Sequence, residues 1–129
     1  MSKASVTKGK VFERELAAYF SSALNLRVFR TSATQQVNNP TCGHADLMGL
    51  PHLAIEAKRT EALNIRSALR QSITNAAAHE IPVVVTRRNR EPTPDAIVAL
   101  RLADFLTLYR AFLAERGQLV THDPDDDCA

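Results

Sequence analysis

The 129-residue sequence predicts an α/β domain: a mixed β-sheet with helices on both faces. Three observations lead there. Val83-Val84-Val85 is an unbroken apolar run, the pattern of a strand buried on both faces. Leu53 to Thr86 reads as strand, helix, strand, which makes a parallel βαβ unit with a right-handed crossover. Amphipathic helical stretches lie on both sides of that unit. The length suits one domain with a real core and is too short for two. The predicted domain is 1–120, followed by an acidic tail, 121–129.

Each element has its own signal. Residues 10 to 24 form a helix, because Phe12, Leu16, Phe20 and Leu24 recur at fourfold spacing, and Asn25 is its stop. Arg27 to Thr31 alternate as a short strand. Ser32 to Gly43, rich in Ser, Thr, Gln, Asn, Pro and Gly, is a long loop, a class often tied to function. Ala45–Gly49 and Leu53–Lys58 form a hairpin around Leu50-Pro51-His52. Pairing Asp46 with Glu56 puts Ala45, Leu47, Leu53, Ile55 and Ala57 on one apolar face. Asp46, Met48, Ala54, Glu56 and Lys58 then share the other, whereas a one-residue slip spoils the apolar face. Residues 64 to 79 form a second helix with Ile65, Leu69, Ile73 and Ala76 on its inner side. Ala96–Leu100 is an edge strand. Leu102–Arg116 is a third helix with Phe105, Tyr109 and Phe112 inward and Gly117 after its end.

Composition and charge narrow the classes. No stretch approaches the ~18 apolar residues of a membrane span. The polar, basic start from Met1 to Lys10 has no apolar segment of the secretory kind. Cys42 and Cys128 lie far apart, which suits a reduced, cytoplasmic protein without a disulfide. The net charge is +2, but the tail from His122 to Asp127 holds four of the 14 acidic residues; the 16 basic and 10 acidic residues that remain leave +6. A basic body suits a polyanion, and the tail either competes for that surface or is a plain solvated charge run.

The chemistry concentrates at Asp46 and Glu56-Ala57-Lys58. In the predicted register the two carboxylates share a face, with Cβ atoms ~5 Å apart. Such a pair repels itself unless neutralised, and a divalent cation with oxygen ligands does that. Lys58 then orients a water or balances charge on a phosphate. An ion pair of Lys58 with Asp46 or Glu56 on an exposed sheet face is the alternative reading. Glu13 lies on the apolar stripe of the first helix, unlike Glu15 on the opposite, solvated side. If that helix covers the polar sheet face, Glu13 points at the cluster; otherwise it extends to solvent.

Taken in order, Lys8-Gly9-Lys10-Val11-Phe12-Glu13-Arg14-Glu15, Ala45-Asp46-Leu47 and Ile55-Glu56-Ala57-Lys58 resemble the archaeal-type Holliday junction resolvases. These belong to the PD-(D/E)XK, or restriction-endonuclease-like, nuclease superfamily. The resemblance covers roughly residues 8 to 86. It implies a restriction-endonuclease-like fold and a homodimer that cuts branched, four-way DNA with Mg²⁺ or Mn²⁺. Glu13, Asp46, Glu56 and Lys58 fall on the catalytic positions, with Asp46, Glu56, the Ala57 carbonyl and Glu13 (through water) at the metal. The sequence departs from the pattern in having alanine before Asp46 and a longer loop from Ser32 to Gly43. Its C-terminal third matches nothing in the family.

Lys8, Lys10, Arg30, Ser32, Arg59 and Thr60 are the candidate DNA contacts, with Thr31, Gln35 and Lys3 beside them. Arg66, Arg70, Arg87, Arg88 and Arg90 add positive charge. Gln71 stands 13 residues after Lys58 on the second helix, where some relatives in the superfamily use a glutamine. His44 either touches substrate or is a plain turn-adjacent histidine. The expected activity is metal-dependent endonuclease cleavage of branched DNA. The alternatives are a nuclease of duplex, flap or fork DNA, and a non-catalytic DNA-binding module.

Overall fold

The computed structural model describes residues 3–31 and 45–119, and the side chains from Lys8 onward within them. The expectations that fall on Ser32, Gln35, Cys42, His44, Lys3, Cys128 and the acidic tail lie outside the described residues or side chains. The elements in chain order are α1 (Lys3–Leu24), β1 (Phe29–Arg30), β2 (Leu47–Met48), β3 (Leu53–Arg59), α2 (Ile65–Asn75), β4 (Ile81–Arg87), a 3₁₀ turn (Thr93–Asp95), β5 (Ile97–Ala99) and α3 (Leu102–Glu115). The class is α/β. β1 and β2 form a two-stranded antiparallel sheet, and β3, β4 and β5 form a mixed sheet in that order.

β4 is central, parallel to β3 with Glu56 beside Val84, and antiparallel to β5. Its Val83, Val84 and Val85 are buried, as an apolar run without alternation requires. Phe12, Leu16 and Ala17 of α1 meet Val28, Leu47, Leu50, Ile55, Val83 and Val85 in one core. α2 lies on the opposite face, where the Ser72 hydroxyl donates to the carbonyls of Val83 at 3.3 Å and Ala54 at 3.5 Å. Helices therefore flank both faces of the sheet.

α1 starts seven residues earlier than the apolar stripe predicts, and it ends as expected: Asn25 takes φ 53°, the left-handed stop. Leu24 is exposed, so the stripe works only through its first turns. Gly49 is required by contact as well as by φ of 95°, since a Cβ there would run into the Arg27 carbonyl oxygen.

Four expectations need correction. The predicted hairpin is not a continuous ladder: β2 pairs with β1, with Arg30 beside Leu47. Asp46 N–H donates to the Ile55 carbonyl at 2.8 Å, and the Asp46 carboxylate takes the next strand donor, Ala57 N–H, at 2.8 Å. The backbone bond follows the slipped register, yet Leu47 and Ile55 still enter the core because the side chain supplies the second link.

α2 is also turned. Ala68 and Ser72 are its buried residues, and Ile65 and Ile73 are exposed. The sheet face beneath carries Glu56 and Lys58, which need polar partners that isoleucine lacks. α3 forms over the predicted span and Gly117 follows it at φ 66°, but none of its residues is buried, Phe105, Tyr109 and Phe112 included. Glu15, expected in solvent, is ion-paired with Arg87 at 2.6 Å.

The Gly49→Ala substitution is expected to destabilise the protein by at least ~2 kcal/mol, because it adds a steric clash to an unfavourable φ. Urea denaturation with unchanged slope is the check, and a cost near zero would refute the close approach.

Candidate active site

Residues far apart in sequence meet in one open groove of about 550 Å³. It is lined by Gly9, Lys10, Glu13, Arg30, Asp46, Glu56, Ala57, Lys58, Arg59, Thr60 and Gln71. All four predicted catalytic residues are among them. α1 does not cover the polar sheet face, as the reading of Glu13 assumed. It covers the apolar face, and Glu13 reaches the cluster from the rim of that packing.

The β3 carboxylate is the most enclosed group. Glu56 is 2 % exposed, a cost that must be offset by partners. Asn75 Nδ2 donates to its Oε1 at 3.0 Å, and Lys58 Nζ lies 3.8 Å from its Oε2. Lys58 Nζ in turn donates to Gln71 Oε1 at 2.9 Å. Gln71 and Asn75 are one helical turn apart on α2, a rise of ~6 Å, and Glu56 and Lys58 are two apart on β3, a rise of ~6.6 Å. The two spacings match, so one helix face holds both charged groups at once. Gln71 was noted from the sequence only through the family pattern. Asn75 was missed, and its signal is this i, i+4 relation to Gln71 opposite an i, i+2 charged pair.

Electrostatics set the cluster apart. Burial, then the Asp46 charge, pushes Glu56 up to about 7. Asp46 is raised by burial, against the lowering effect of the Ala57 N–H bond. Glu13 is raised by burial and by Asp46, although Arg30 Nε donates to its Oε2 at 2.6 Å. Burial, with mutual repulsion for Glu13 and Glu56, thus disfavours the charged form of three neighbouring carboxylates, a pattern that clusters at functional sites.

Among the described residues, no three His, Cys, Asp or Glu side chains converge tightly enough to form a metal cage by themselves. Glu13 is occupied by Arg30. The donor set that could hold a cation is therefore the carboxylates of Asp46 and Glu56, with the backbone of Ala57 in the same groove lining. All are oxygen ligands, which suits Mg²⁺ or Mn²⁺, ions that retain water in their shell.

The remaining candidates separate into groups. Lys10, Arg59 and Thr60 line the groove with Arg30. Lys8 is exposed but is not part of the groove lining. Arg59 Nε donates to Asn89 Oδ1 at 3.2 Å, and the Thr60 hydroxyl donates to the Ala62 carbonyl at 3.3 Å. Arg87 is not a free surface charge. It is buried, bonded to the Glu91 carbonyl at 3.0 Å and to Glu15, and lies over the Phe12 ring at 5.1 Å. Its role is structural.

Two outcomes are expected without any substrate. Glu56 holds its proton in the folded state above the pH where the unfolded chain releases it, so the native state binds more protons between about pH 4.5 and 7. Stability of the metal-free protein should fall as pH rises through that window and level off above it. Melting at pH 5.5 and 8.0 in EDTA checks this, and Glu56→Gln should flatten the difference. The Asn75→Ala substitution leaves a buried carboxylate oxygen without its donor and should cost ~1–3 kcal/mol at pH 8 by urea denaturation. Comparison of this chain with family models, with curated proteins and with solved structures returns no match.

Proposed function

We propose that this protein is a divalent-cation-dependent DNA endonuclease of the PD-(D/E)XK type, with four-way junctions as its preferred substrate. The observation that carries this reading is the single groove holding Glu13, Asp46, Glu56 and Lys58 with Lys10, Arg30 and Arg59 at its sides. Carboxylates grouped with cations in an open depression suit a phosphodiester and a hard metal ion. The α/β sheet with helices on both faces is compatible with a restriction-endonuclease-like arrangement.

In the proposed reaction a water oxygen bonds to phosphorus as the phosphorus bond to the leaving sugar oxygen breaks; the water gives up a proton to solvent, and the departing sugar oxygen takes one from solvent to leave as a hydroxyl. Asp46, Glu56 and the Ala57 carbonyl would hold Mg²⁺ or Mn²⁺, which would supply Lewis-acid polarisation and a more acidic water at neutral pH. The chain's own groups orient the reactants. Lys58, anchored by Gln71, presents an ammonium to the charge developing on the phosphate oxygens. Glu13 aligns the Arg30 guanidinium, which lines the groove and has further N–H groups to offer a phosphate. Lys10, Arg59 and Thr60 contact the flanking backbone, which fixes position without reading sequence.

The test uses purified full-length protein with labelled four-way junction, duplex, flap and fork DNA, in Mg²⁺ or EDTA. Paired symmetric nicks across the junction that need the metal are expected. Glu56→Ala and Lys58→Ala should each lose ~10²-fold or more in cleavage rate while the fold remains, as checked by circular dichroism. Uniform cutting of every substrate would replace the junction preference with a broader nuclease. Tight binding with no metal-dependent cutting would overturn the catalytic reading.

A further inference from the structure

Beside the candidate active site lies a smaller pocket that the proposed cleavage does not use. It encloses about 350 Å³. That falls in the ~300–1,000 Å³ range of small-ligand sites and is too little for a duplex. β3 ends at Arg59 and β4 at Arg87, two residues paired in parallel register. The pocket lies at this end, among the residues that follow the two strands and the first residue of α2. Open α/β sheets bind ligands in such crevices, outside the carboxyl ends of their strands.

Its lining is of two kinds. Leu63, Ile65 and Ile97 form apolar walls, and Ile65 and Ile97 are 39 % and 60 % exposed. Thr60, Thr86 and Arg88 bring hydroxyl and guanidinium donors. Glu61 and Glu91 bring carboxylates, each pinned through one oxygen. Asn89 N–H donates to Glu61 Oε1 and Arg88 N–H to Glu91 Oε1, both at 2.8 Å. The wall behind them is set by the buried Arg87, which donates to the Glu91 carbonyl at 3.0 Å and the Thr93 hydroxyl at 3.3 Å. The pocket is thus preformed, as ligand sites usually are. Two fixed carboxylates disfavour a phosphate inside it. They suit a neutral ring with N–H donors, and the apolar walls suit the faces of that ring. Thr60 lines both this pocket and the catalytic groove. Arg59, on the groove side, donates to Asn89 Oδ1 at 3.2 Å, and the same Asn89 holds Glu61.

We propose that this pocket takes a single nucleobase, unstacked from the DNA strand whose phosphodiester lies in the adjoining groove. The inference rests on the reading of that groove and extends it to substrate selection. Drawing a base out of an intact duplex costs its pairing and stacking, whereas a base already unpaired at a branch, bulge or mismatch costs little. The pocket therefore favours DNA with an unpaired nucleotide beside the scissile phosphate. Its carboxylates favour bases that carry an amino group, which thymine lacks.

The test measures binding of full-length protein, in EDTA, to two duplexes that differ only in one unpaired, fluorescent aminopurine. The bulged duplex is expected to bind at least ~10-fold more tightly, with a fluorescence rise of ~2-fold or more as the base leaves the stack. Ile65→Trp and Ile97→Trp fill the pocket from two walls at exposed positions, and each should cut the preference to under ~3-fold. The ratio is the readout because a general loss of phosphate contacts lowers both affinities alike. Equal affinity of the wild type for the two duplexes would overturn the proposal, as would a preference that both filled variants retain. If metal-dependent nicking persists in either case, the nuclease reading stands without the pocket. A preference removed by both substitutions, in a protein that cuts nothing in Mg²⁺, would keep the pocket and remove the nuclease. Failure to bind either DNA would overturn both.

Discussion

The two-point link between Asp46 and β3 is the constraint on which the rest of the site depends. Asp46 sits between the small β1–β2 sheet and the main sheet. Its N–H bonds to the Ile55 carbonyl and its carboxylate to the Ala57 N–H, at 2.8 Å each. A regular ladder would have used two backbone carbonyls for this. Using a side chain brings a carboxylate beside Glu56 and keeps it there by a charge-assisted bond. The same link lets Leu47 and Leu50 enter the core with Phe12 and Leu16. Folding and the acidic cluster therefore share one joint.

That cluster also explains the orientation of α2. A sheet face with Glu56 and Lys58 cannot be covered by isoleucine without leaving charges unpaired. The helix instead presents Ala68 and Ser72 for close approach, and Gln71 and Asn75 as partners. The polar groups are thus satisfied at the expense of apolar burial, and Ile65 and Ile73 remain exposed. Glu56 is held by a neutral amide, with the Lys58 ammonium 3.8 Å away, so its charge is only partly compensated. That is the physical basis for reading the groove as a metal-binding phosphodiester site.

The opposite side of the sheet has a different imbalance. α1 covers part of its apolar face and stops before Asn25, while α3, with no buried residue, borders a separate apolar groove beside Leu53, Val85 and Val98. A helix whose apolar face is left in water gains little from packing and contributes little to single-chain stability. Cover from outside the chain would convert that exposed area into stabilisation. Among the described residues, no helix is long and apolar enough to cross a membrane.

The sequence by itself determined the local elements. Fourfold spacing around Phe12 predicts α1, the valine run predicts a strand buried on both faces, and Asn25 and Gly117 mark helix ends; each depends on near neighbours alone. It also determined that Glu56 and Lys58 share a face, because they are two apart on one strand; Asp46 joins them through its side-chain bond to the Ala57 N–H, which strand alternation does not encode. Only the tertiary structure decided which helix face points inward, since that depends on what the facing sheet requires. The apolar stripe of α2 therefore misled, and Asn75 went unnoticed. The fates of Glu13 with Arg30, Glu15 with Arg87, and the rings of α3 were decided in the same way. Long-range pairs and missing cover arise from the meeting of distant segments, and no local pattern encodes them.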